Sequence, residues 1–294
     1  MSENKRAVKA VVPAAGNATR FLPSTKSVPK ELFPVVDKPV LHHIVEEAAA
    51  AGLTDVLMVT ARGKESLVDY FDVRPDLEQA LERKGDSARL ERVKEAEGLA
   101  DITAIRQGGP LGLGHAVGRG ASFVGDEPFA VLLGDEFCEV DDKLLPRMID
   151  LQAETGGVVL ALMEVPWEDV SRYGVASVEA TDSDDVVRVS GLVEKPARED
   201  APSNLIVIGR YVLPGAIFPE IDRTPPGKGG EIGLTEAMDA MRDNGTPVHA
   251  IVFRGRRYDT GEPVGYLKTL VEIAAKRDDL TQFRDWLREF ASEL

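Results

Sequence analysis

Short apolar runs alternate with longer stretches of helical apolar spacing along most of this 294-residue chain. The apolar runs predict strands over 8–12, 55–60, 102–106, 129–133, 158–165 and 186–193. The stretches after the first two runs predict helices over 41–51 and 64–71. This alternation is typical of a mainly parallel sheet covered by helices, so we expect an α/β fold. Ligands of such sheets bind at the carboxyl ends of the strands.

Two segments depart from this pattern. Residues 75–98 are charged and nearly free of β-branched side chains, which predicts two solvated helices broken at Gly85, peripheral to the fold. The C-terminal residues carry apolar side chains at helical spacing and predict two helices separated near 277–279. We therefore predict a single domain over 1–275 and a helical tail over 276–294. The apolar stripe of the tail either packs on the chain's own core or forms a subunit contact.

Composition narrows the classes of partner. The 50 acidic and 35 basic residues give a net charge of −15, which opposes binding to nucleic acids and anionic membranes. Cys138 is the single cysteine, so no disulfide can form within the chain. The first residues are polar, and no apolar run is long enough to span a bilayer. We therefore expect a cytoplasmic protein with neither nucleic acid nor membrane as a partner.

The segment after the first predicted strand carries the first chemical signal. Small residues at Ala14, Ala15 and Gly16 let the backbone lie close to a flat ligand, and Arg20 offers a fork of donors for phosphate. Lys26 and Lys30 add charge. Neither GxxxxGK[ST] nor GxGxxG is present, so the usual phosphate-loop and dinucleotide signatures are excluded. Alone, Gly16 could be a plain turn and Arg20 a solvated charge.

Asp135 is the first candidate metal ligand. It follows the apolar run 129–133 directly, where a carboxylate is costly unless it is paired or metal-bound. Carboxylate and phosphate oxygens suit Mg²⁺. A helix N-cap is the alternative reading. Glu136 points away from its neighbour if it lies on a strand, and its role stays open.

Further motifs recur in one order after the opening segment 8–39. They are RQGGPLGLGHAV (106–117), LLGDEF (132–137), YGV (173–175), GLVEKP (191–196), GRYVL (209–213), GGEIGLTEAM (229–238) and RYDTGEPVGY (257–266). Over residues 8–275 the chain resembles the sugar-phosphate nucleotidylyltransferase family, and within it the bacterial uridylyl-transferring members. The resemblance implies a Rossmann-like three-layer sandwich of the nucleotide-diphospho-sugar transferase type, with a mainly parallel, mixed central sheet. It also implies a homodimer or homotetramer.

The resemblance implies UTP and α-D-glucose 1-phosphate as substrates and Mg²⁺ as the cofactor. The nucleotide-binding residues would be Ala14, Ala15, Gly16, Thr19, Arg20, Gln107 and Gly112. The catalytic cations would be Arg20 and Lys30 on the triphosphate and Lys195 on the attacking phosphate. The sugar would be bound by Gly174, Glu194, Lys195 and Asn204. The metal would be bound by Asp135 and Asp259.

Some of these roles have alternatives. Asp259 precedes Thr260 and Gly261, so an Asx-turn is as plausible as a metal site. Asn204 could be a plain turn residue. His115 invites a catalytic reading, but a sugar phosphate is already an anion and needs no general base. We therefore expect His115 to pack at the start of a helix.

The chain departs from the family pattern at three positions. Ala18 stands where a glycine is common before the Thr-Arg pair, and a negative φ would tolerate its methyl group. Gly233 stands where relatives carry glutamine, which bears on sugar specificity. Glu136 replaces a second aspartate.

We predict uridylyl transfer from UTP to glucose 1-phosphate, with release of pyrophosphate. One alternative is the same chemistry with dTTP or another sugar 1-phosphate. A second is a catalytically silent paralogue that regulates a partner enzyme. The presence of Arg20, Lys30, Asp135 and Lys195 argues against a silent paralogue.

Overall fold

The computed structural model describes residues 5–293. Its strands are β1 (Lys9–Pro13), β2 (Pro34–Val35), β3 (Lys38–Pro39), β4 (Asp55–Thr60), β5 (Asp101–Arg106), β6 (Phe129–Leu132), β7 (Glu136–Cys138), β8 (Val158–Glu164), β9 (Gly174–Ala180), β10 (Val186–Glu194), β11 (Leu205–Leu213), β12 (Val248–Val252) and β13 (Arg257–Asp259). Its α-helices are α1 (Val40–Ala50), α2 (Ser66–Asp69), α3 (Pro75–Lys84), α4 (Ser87–Glu97), α5 (Leu113–Gly118), α6 (Ala121–Val124), α7 (Leu144–Thr155), α8 (Ile217–Arg223), α9 (Leu234–Asp243), α10 (Pro263–Lys276) and α11 (Thr281–Ser292).

A central sheet organises the part of the chain that the structure describes. Its nine strands lie in the order β5-β4-β1-β6-β11-β8-β12-β10-β9. The strands β5, β4, β1 and β6 run parallel, as do β8 and β12. In contrast, β11 is antiparallel to β6 and β8, and β10 is antiparallel to β12 and β9. The carboxyl ends of β1, β4, β5 and β6 therefore meet at one edge.

The predicted mixed sheet is confirmed, but "mainly parallel" was wrong for the half beyond β6. There β9 and β10 are joined by the short connection 181–185, and so short a link permits only antiparallel pairing. The reversed β11 lies between β6 and β8. Continuous parallel order is therefore limited to β5, β4, β1 and β6, and beyond β6 only the β8–β12 pair is parallel.

The sheet is covered by helices because its strands are apolar on both faces. In β1, Ala10 and Val12 pack with α1 and α7, whereas Val11 packs in a second cluster with α5, α8 and α9. Such near-continuous apolar runs are typical of strands buried on both sides. The strand predicted over 55–60 has the same bounds as β4. The other five predicted strands differ from the observed strands by one or two residues at their ends.

The peripheral helices also follow the sequence. The two helices predicted over 75–98 are α3 and α4, and Gly85 ends the first with a positive φ of 69°. The helix predicted over 64–71 shortens to α2. The tail contains α11, which the break after Lys276 separates from α10. Residues 1–4 and 294 of the predicted domain and tail lie outside the described residues. Across 5–293, no helix has the length and apolar character needed to cross a membrane.

Candidate active site

The loop after β1 forms the floor of a cavity at the carboxyl edge of the sheet. Ala14 N donates to Val59 O of β4 at 2.8 Å, which ties the loop to the neighbouring strand, and Ala14 itself is buried. The cavity measures about 370 Å³ and is lined by Ala15, Asn17, Ala61, Arg62, Arg106, Gln107, Gly108, Gly109 and Pro110. Small side chains and backbone thus form much of its wall, as expected for a flat ligand.

Gln107 is held at the rim of this cavity. It follows β5, and its Nε2 donates to Gly112 O at 3.1 Å and to His115 Nδ1 at 3.2 Å. Gly112 has φ +97°, and a Cβ there would lie 2.6 Å from Ile232 O, so only glycine fits. His115 lies in the first turn of α5, as predicted, and accepts at Nδ1 because an amide nitrogen can only donate.

We call the cavity lined by Ala15 and Gln107 the flat cavity. Next to it lies a second, strongly basic cavity, which we call the basic cavity. Its volume is about 240 Å³, and its lining is Gly16, Asn17, Ala18, Thr25, Lys26, Ser27, Pro29, Lys30, Ala61, Arg62, Gly63 and Lys64. The lining contains lysine and arginine but no carboxylate. In a chain with a net charge of −15, this arrangement marks a polyanion site.

Sequence reasoning missed Arg62 and Lys64. Lys64 Nζ donates to Ala14 O at 2.6 Å and contacts both oxygens of Glu31 at 3.0 Å. The Glu31 side chain is 1% exposed, and burial raises its pKa. The pair therefore fixes the loop after β1 from beneath. The sequence could have indicated these two cations by their position directly after β4, because β4 is parallel to β1 and ends at the same edge of the sheet.

Lys30 and Asp135 meet where the basic cavity ends. Lys30 Nζ lies 2.5 Å from Asp135 Oδ2, and both side chains are partly exposed. Thr260 donates to Asp135 O through its backbone N at 2.8 Å and its Oγ1 at 2.7 Å. Arg20 Nη1 donates to Gly261 O at 3.4 Å. The structure therefore brings three predicted site residues, Arg20, Lys30 and Asp135, to one turn.

Asp259 borders the same turn. An ideal Cβ at Gly261 would lie 2.9 Å from Asp135 Oδ2 and 3.2 Å from Asp259 Oδ1, so both carboxylates flank this glycine. Asp259 Oδ1 accepts from Gly261 N at 2.9 Å, which confirms the Asx-turn. Its Oδ2 accepts from Arg257 Nη2 at 3.0 Å and from Tyr173 at 3.4 Å. The Asx-turn is compatible with a metal role for Asp259, because the carboxylates of Asp135 and Asp259 lie on either side of Gly261.

Glu136 receives a structural role. It is buried on β7, and its Oε2 is bound by Arg257 of β13 at Nε and Nη2. Burial raises the pKa of Glu136, while Arg257 opposes this shift. Gly209 N donates to Oε1 of the same carboxylate. Glu136 therefore supports Arg257, which in turn contacts Asp259.

Among the residues predicted to bind the sugar, Glu194 is the centre of the contacts. It ends β10 opposite Gly174 of β9, and a Cβ at Gly174 would lie 3.1 Å from Glu194 Oε2. Thr235 Oγ1 donates to that oxygen at 3.1 Å, and Lys195 Nζ lies 2.8 Å from Oε1. Thr235 was recognised only as part of a motif. Gly174, Glu194 and Lys195 thus come together as predicted.

Asn204 does not join this group of contacts. Its Nδ2 donates to Glu164 Oε1 and to Val165 O, both at 3.1 Å. These bonds fit the turn role that the sequence left open, and a role at the sugar stays a prediction.

Two departures from the family pattern have structural counterparts. Ala18 has φ 48° and ψ 45°, so the negative φ that would tolerate its methyl group is not adopted, and the loop places a left-handed residue before Thr19. At Gly233, the carboxylate of Glu236 occupies the space of a Cβ. A glutamine there would have to displace that side chain.

Comparisons with known proteins show the family to which the chain belongs. Residues 9–276 match the family model described as nucleotidyl transferase. The UTP–glucose-1-phosphate uridylyltransferase of Bacillus subtilis (strain 168) is 44% identical over 287 residues, which cover 96% of this chain and 98% of that protein.

Solved structures are also similar. A UDP-glucose pyrophosphorylase complexed with UDP-glucose is 39% identical with a TM-score of 0.84, covering 92% of this chain and 100% of that one. A UTP-bound UGPase from Acinetobacter baumannii is 37% identical with a TM-score of 0.88, covering 96% and 99%.

Proposed function

This chain belongs to the nucleotidyl transferase family, and we propose how its site performs the transfer that its close relatives are named for. It transfers the uridylyl group of UTP to α-D-glucose 1-phosphate, giving UDP-glucose and pyrophosphate. The observation that carries the site assignment is the contact of Lys30, which lines the basic cavity, with Asp135, which follows β6 at the carboxyl edge of the sheet.

The flat cavity would hold the uracil base. Ala15 and Gly108 offer it backbone, and Gln107 offers it an amide edge. Within residues 5–293, both hydrogen bonds of the Gln107 side chain use Nε2, so Oε1 has no protein partner. That oxygen can accept from a base N–H. Thr19 and Gly112 shape the same loops.

The phosphates would lie along the basic cavity. Arg20 and Lys30 would bind the triphosphate, and Lys195 would bind the phosphate of the sugar substrate, whose hydroxyls Glu194 and Gly174 would contact. An oxygen of glucose 1-phosphate would attack the α-phosphorus of UTP in line, and the bond to the β-phosphate would break. Pyrophosphate leaves, and no proton needs to be removed. The cations lower the repulsion between two polyanions.

We propose that Asp135 and Asp259 hold Mg²⁺. The residues fit: their carboxylates flank Gly261, are partly exposed, and offer the oxygen ligands that Mg²⁺ prefers. When bound, the ion would neutralise charge on the phosphates. Lys30, now on Asp135 Oδ2, would be free to move to the phosphates.

The test is pyrophosphate release by the purified protein with UTP, glucose 1-phosphate and Mg²⁺. We expect release that stops with EDTA and falls when dTTP replaces UTP. A folded protein that releases no pyrophosphate with any nucleotide or sugar phosphate would overturn the proposal and favour a regulatory paralogue.

We further propose a cytoplasmic homodimer or homotetramer. Val264 and Leu267 of α10 are exposed, as are Trp286 and Phe290 of α11, where the two rings stack at 5.2 Å. Light scattering during gel filtration tests the state of assembly. We expect Leu267→Glu or Trp286→Glu to lower the measured mass. A monomeric wild-type chain would contradict the proposal.

A further inference from the structure

We propose that His42, Glu46 and Glu95 form a second cation site, which would take a divalent transition ion such as Zn²⁺. We call these three residues the His-Glu-Glu cluster. The cluster joins α1 to α4, the second helix of the peripheral excursion. None of its residues lines the flat cavity or the basic cavity. It is therefore separate from the predicted Mg²⁺ site.

Helical spacing places the first two ligands together. His42 and Glu46 are four residues apart on α1, so their side chains lie on one face of the helix. Glu95 of α4 faces them from the neighbouring element. One ligand atom from each residue lies within 4.8 Å of the other two. Rotation of the partly exposed glutamates can draw these atoms closer to a shared ion.

An unpartnered buried nitrogen points to a ligand. The His42 side chain is 1% exposed, and its Nε2 lies 3.9 Å from Glu95 Oε1. Among the described residues, this Nε2 has no hydrogen-bond partner. A buried polar group without a partner destabilises the fold. A bound ion would satisfy it.

Tyr70 orients the imidazole ring of His42 for metal binding. Its hydroxyl lies 3.0 Å from His42 Nδ1, so Nδ1–H can donate to it and leave the Nε2 lone pair facing the carboxylates. Metal-binding histidines are commonly oriented in this way through their other nitrogen. Burial also lowers the pKa of His42 to about 4, which keeps the ring neutral at neutral pH.

A cation already lies between the two carboxylates. Lys38 Nζ is 3.2 Å from Glu46 Oε1 and 2.6 Å from Glu95 Oε1. The cluster therefore attracts positive charge, and Lys38 would compete with a metal ion. A cavity of about 340 Å³ adjoins Lys38, His42 and Glu95, which gives a hydrated ion access and the ammonium a place to move.

The ligand set selects the ion. One imidazole nitrogen with two carboxylate oxygens suits Zn²⁺ and other transition ions, whereas Mg²⁺ prefers oxygen ligands alone. Three protein ligands leave a coordination position for water.

The test is calorimetric titration of the EDTA-stripped full-length protein with ZnCl₂. We expect one saturable Zn²⁺ per chain. Affinity should fall about tenfold or more in His42→Ala and in Glu95→Gln. Lys38→Met should bind more tightly, because it removes the competing ammonium. Asp135→Asn/Asp259→Asn should keep this binding, which separates it from the predicted Mg²⁺ ligands.

His249→Ala is the matched control. His249 Nδ1 is also buried without a partner among the described residues, but His249 belongs to no cluster of metal-ligating side chains, so its loss should leave Zn²⁺ binding unchanged. Circular dichroism of each variant verifies folding, and Glu95→Gln changes a partly exposed side chain if His42→Ala fails to fold. Absence of binding in both wild type and Lys38→Met would overturn the proposal. So would binding that His42→Ala and Glu95→Gln leave intact.

Discussion

At the proposed nucleotide end of the candidate active site, the loop after β1 is held in place by buried groups. Glu31 and Lys64 pair beneath it, and Ala14 hydrogen-bonds to β4. At the proposed sugar end, Glu194 and Lys195 are 39% and 62% exposed and contact each other, and Glu194 also accepts from Thr235. The proposed nucleotide end is therefore preformed on parallel strands, whereas the proposed sugar end depends on exposed side chains that can change conformation.

This difference predicts that the two ends respond differently to substitution. Changes under the nucleotide loop should affect folding as well as function, because buried charges are involved. Changes at the sugar end should affect binding of one substrate with little effect on folding.

The largest effect is expected from Lys64→Met. It leaves the buried Glu31 carboxylate unpaired and removes the donor to Ala14 O, so we expect a loss of about 3–5 kcal/mol in the free energy of unfolding. Urea denaturation measures it. Lys5→Met is the control, because the Lys5–Glu127 pair is exposed, and it should change the free energy of unfolding little.

A double variant sharpens this result. Glu31→Leu with Lys64→Met replaces both charges by apolar groups and should recover much of the loss. Equal destabilisation by Lys64→Met and Lys5→Met would show that the loop after β1 does not depend on the buried pair.

Lys30→Ala should have the next largest effect. Removal of this ammonium group, which contacts Asp135, should lower kcat for pyrophosphate release by about 10²–10³-fold. Other groups that stabilise developing charge have effects of this size. The unfolding midpoint should change little, because the Lys30–Asp135 pair is partly exposed. Near-normal turnover would remove Lys30 from the mechanism.

The same contrast explains how much the sequence could predict. Six of the strands followed from apolar runs, and the position of Asp135 followed from the rule that ligands bind at carboxyl ends of strands. The grouping of Lys30 with Asp135 in one site followed only from the family resemblance. The Glu31–Lys64 pair could not be predicted, since it depends on how the loop after β4 folds under the loop after β1. The antiparallel half also escaped prediction, because apolar runs carry no strand direction.

Glu194→Gln should affect the sugar end alone. Glu194 accepts from Thr235, and we propose that it accepts from sugar hydroxyls. Loss of its charge should cost about 1.5 kcal/mol and raise the KM for glucose 1-phosphate about tenfold. The KM for UTP should stay nearly constant. Glu179→Gln, an exposed acid on β9, is the control. Equal changes in both KM values would contradict the division into two ends.

Ala18→Gly should have the smallest effect and the opposite sign. Ala18 has φ 48°, a left-handed conformation that glycine adopts without strain, so the variant should gain about 0.5–1 kcal/mol in the free energy of unfolding. Ala88→Gly, in the exposed first turn of α4, should lose a similar amount because its backbone is helical. Opposite shifts in urea midpoint would place the strain in the nucleotide loop itself. If both variants were destabilised, Ala18 would not be left-handed in solution, and the nucleotide end would be less preformed than its buried contacts imply.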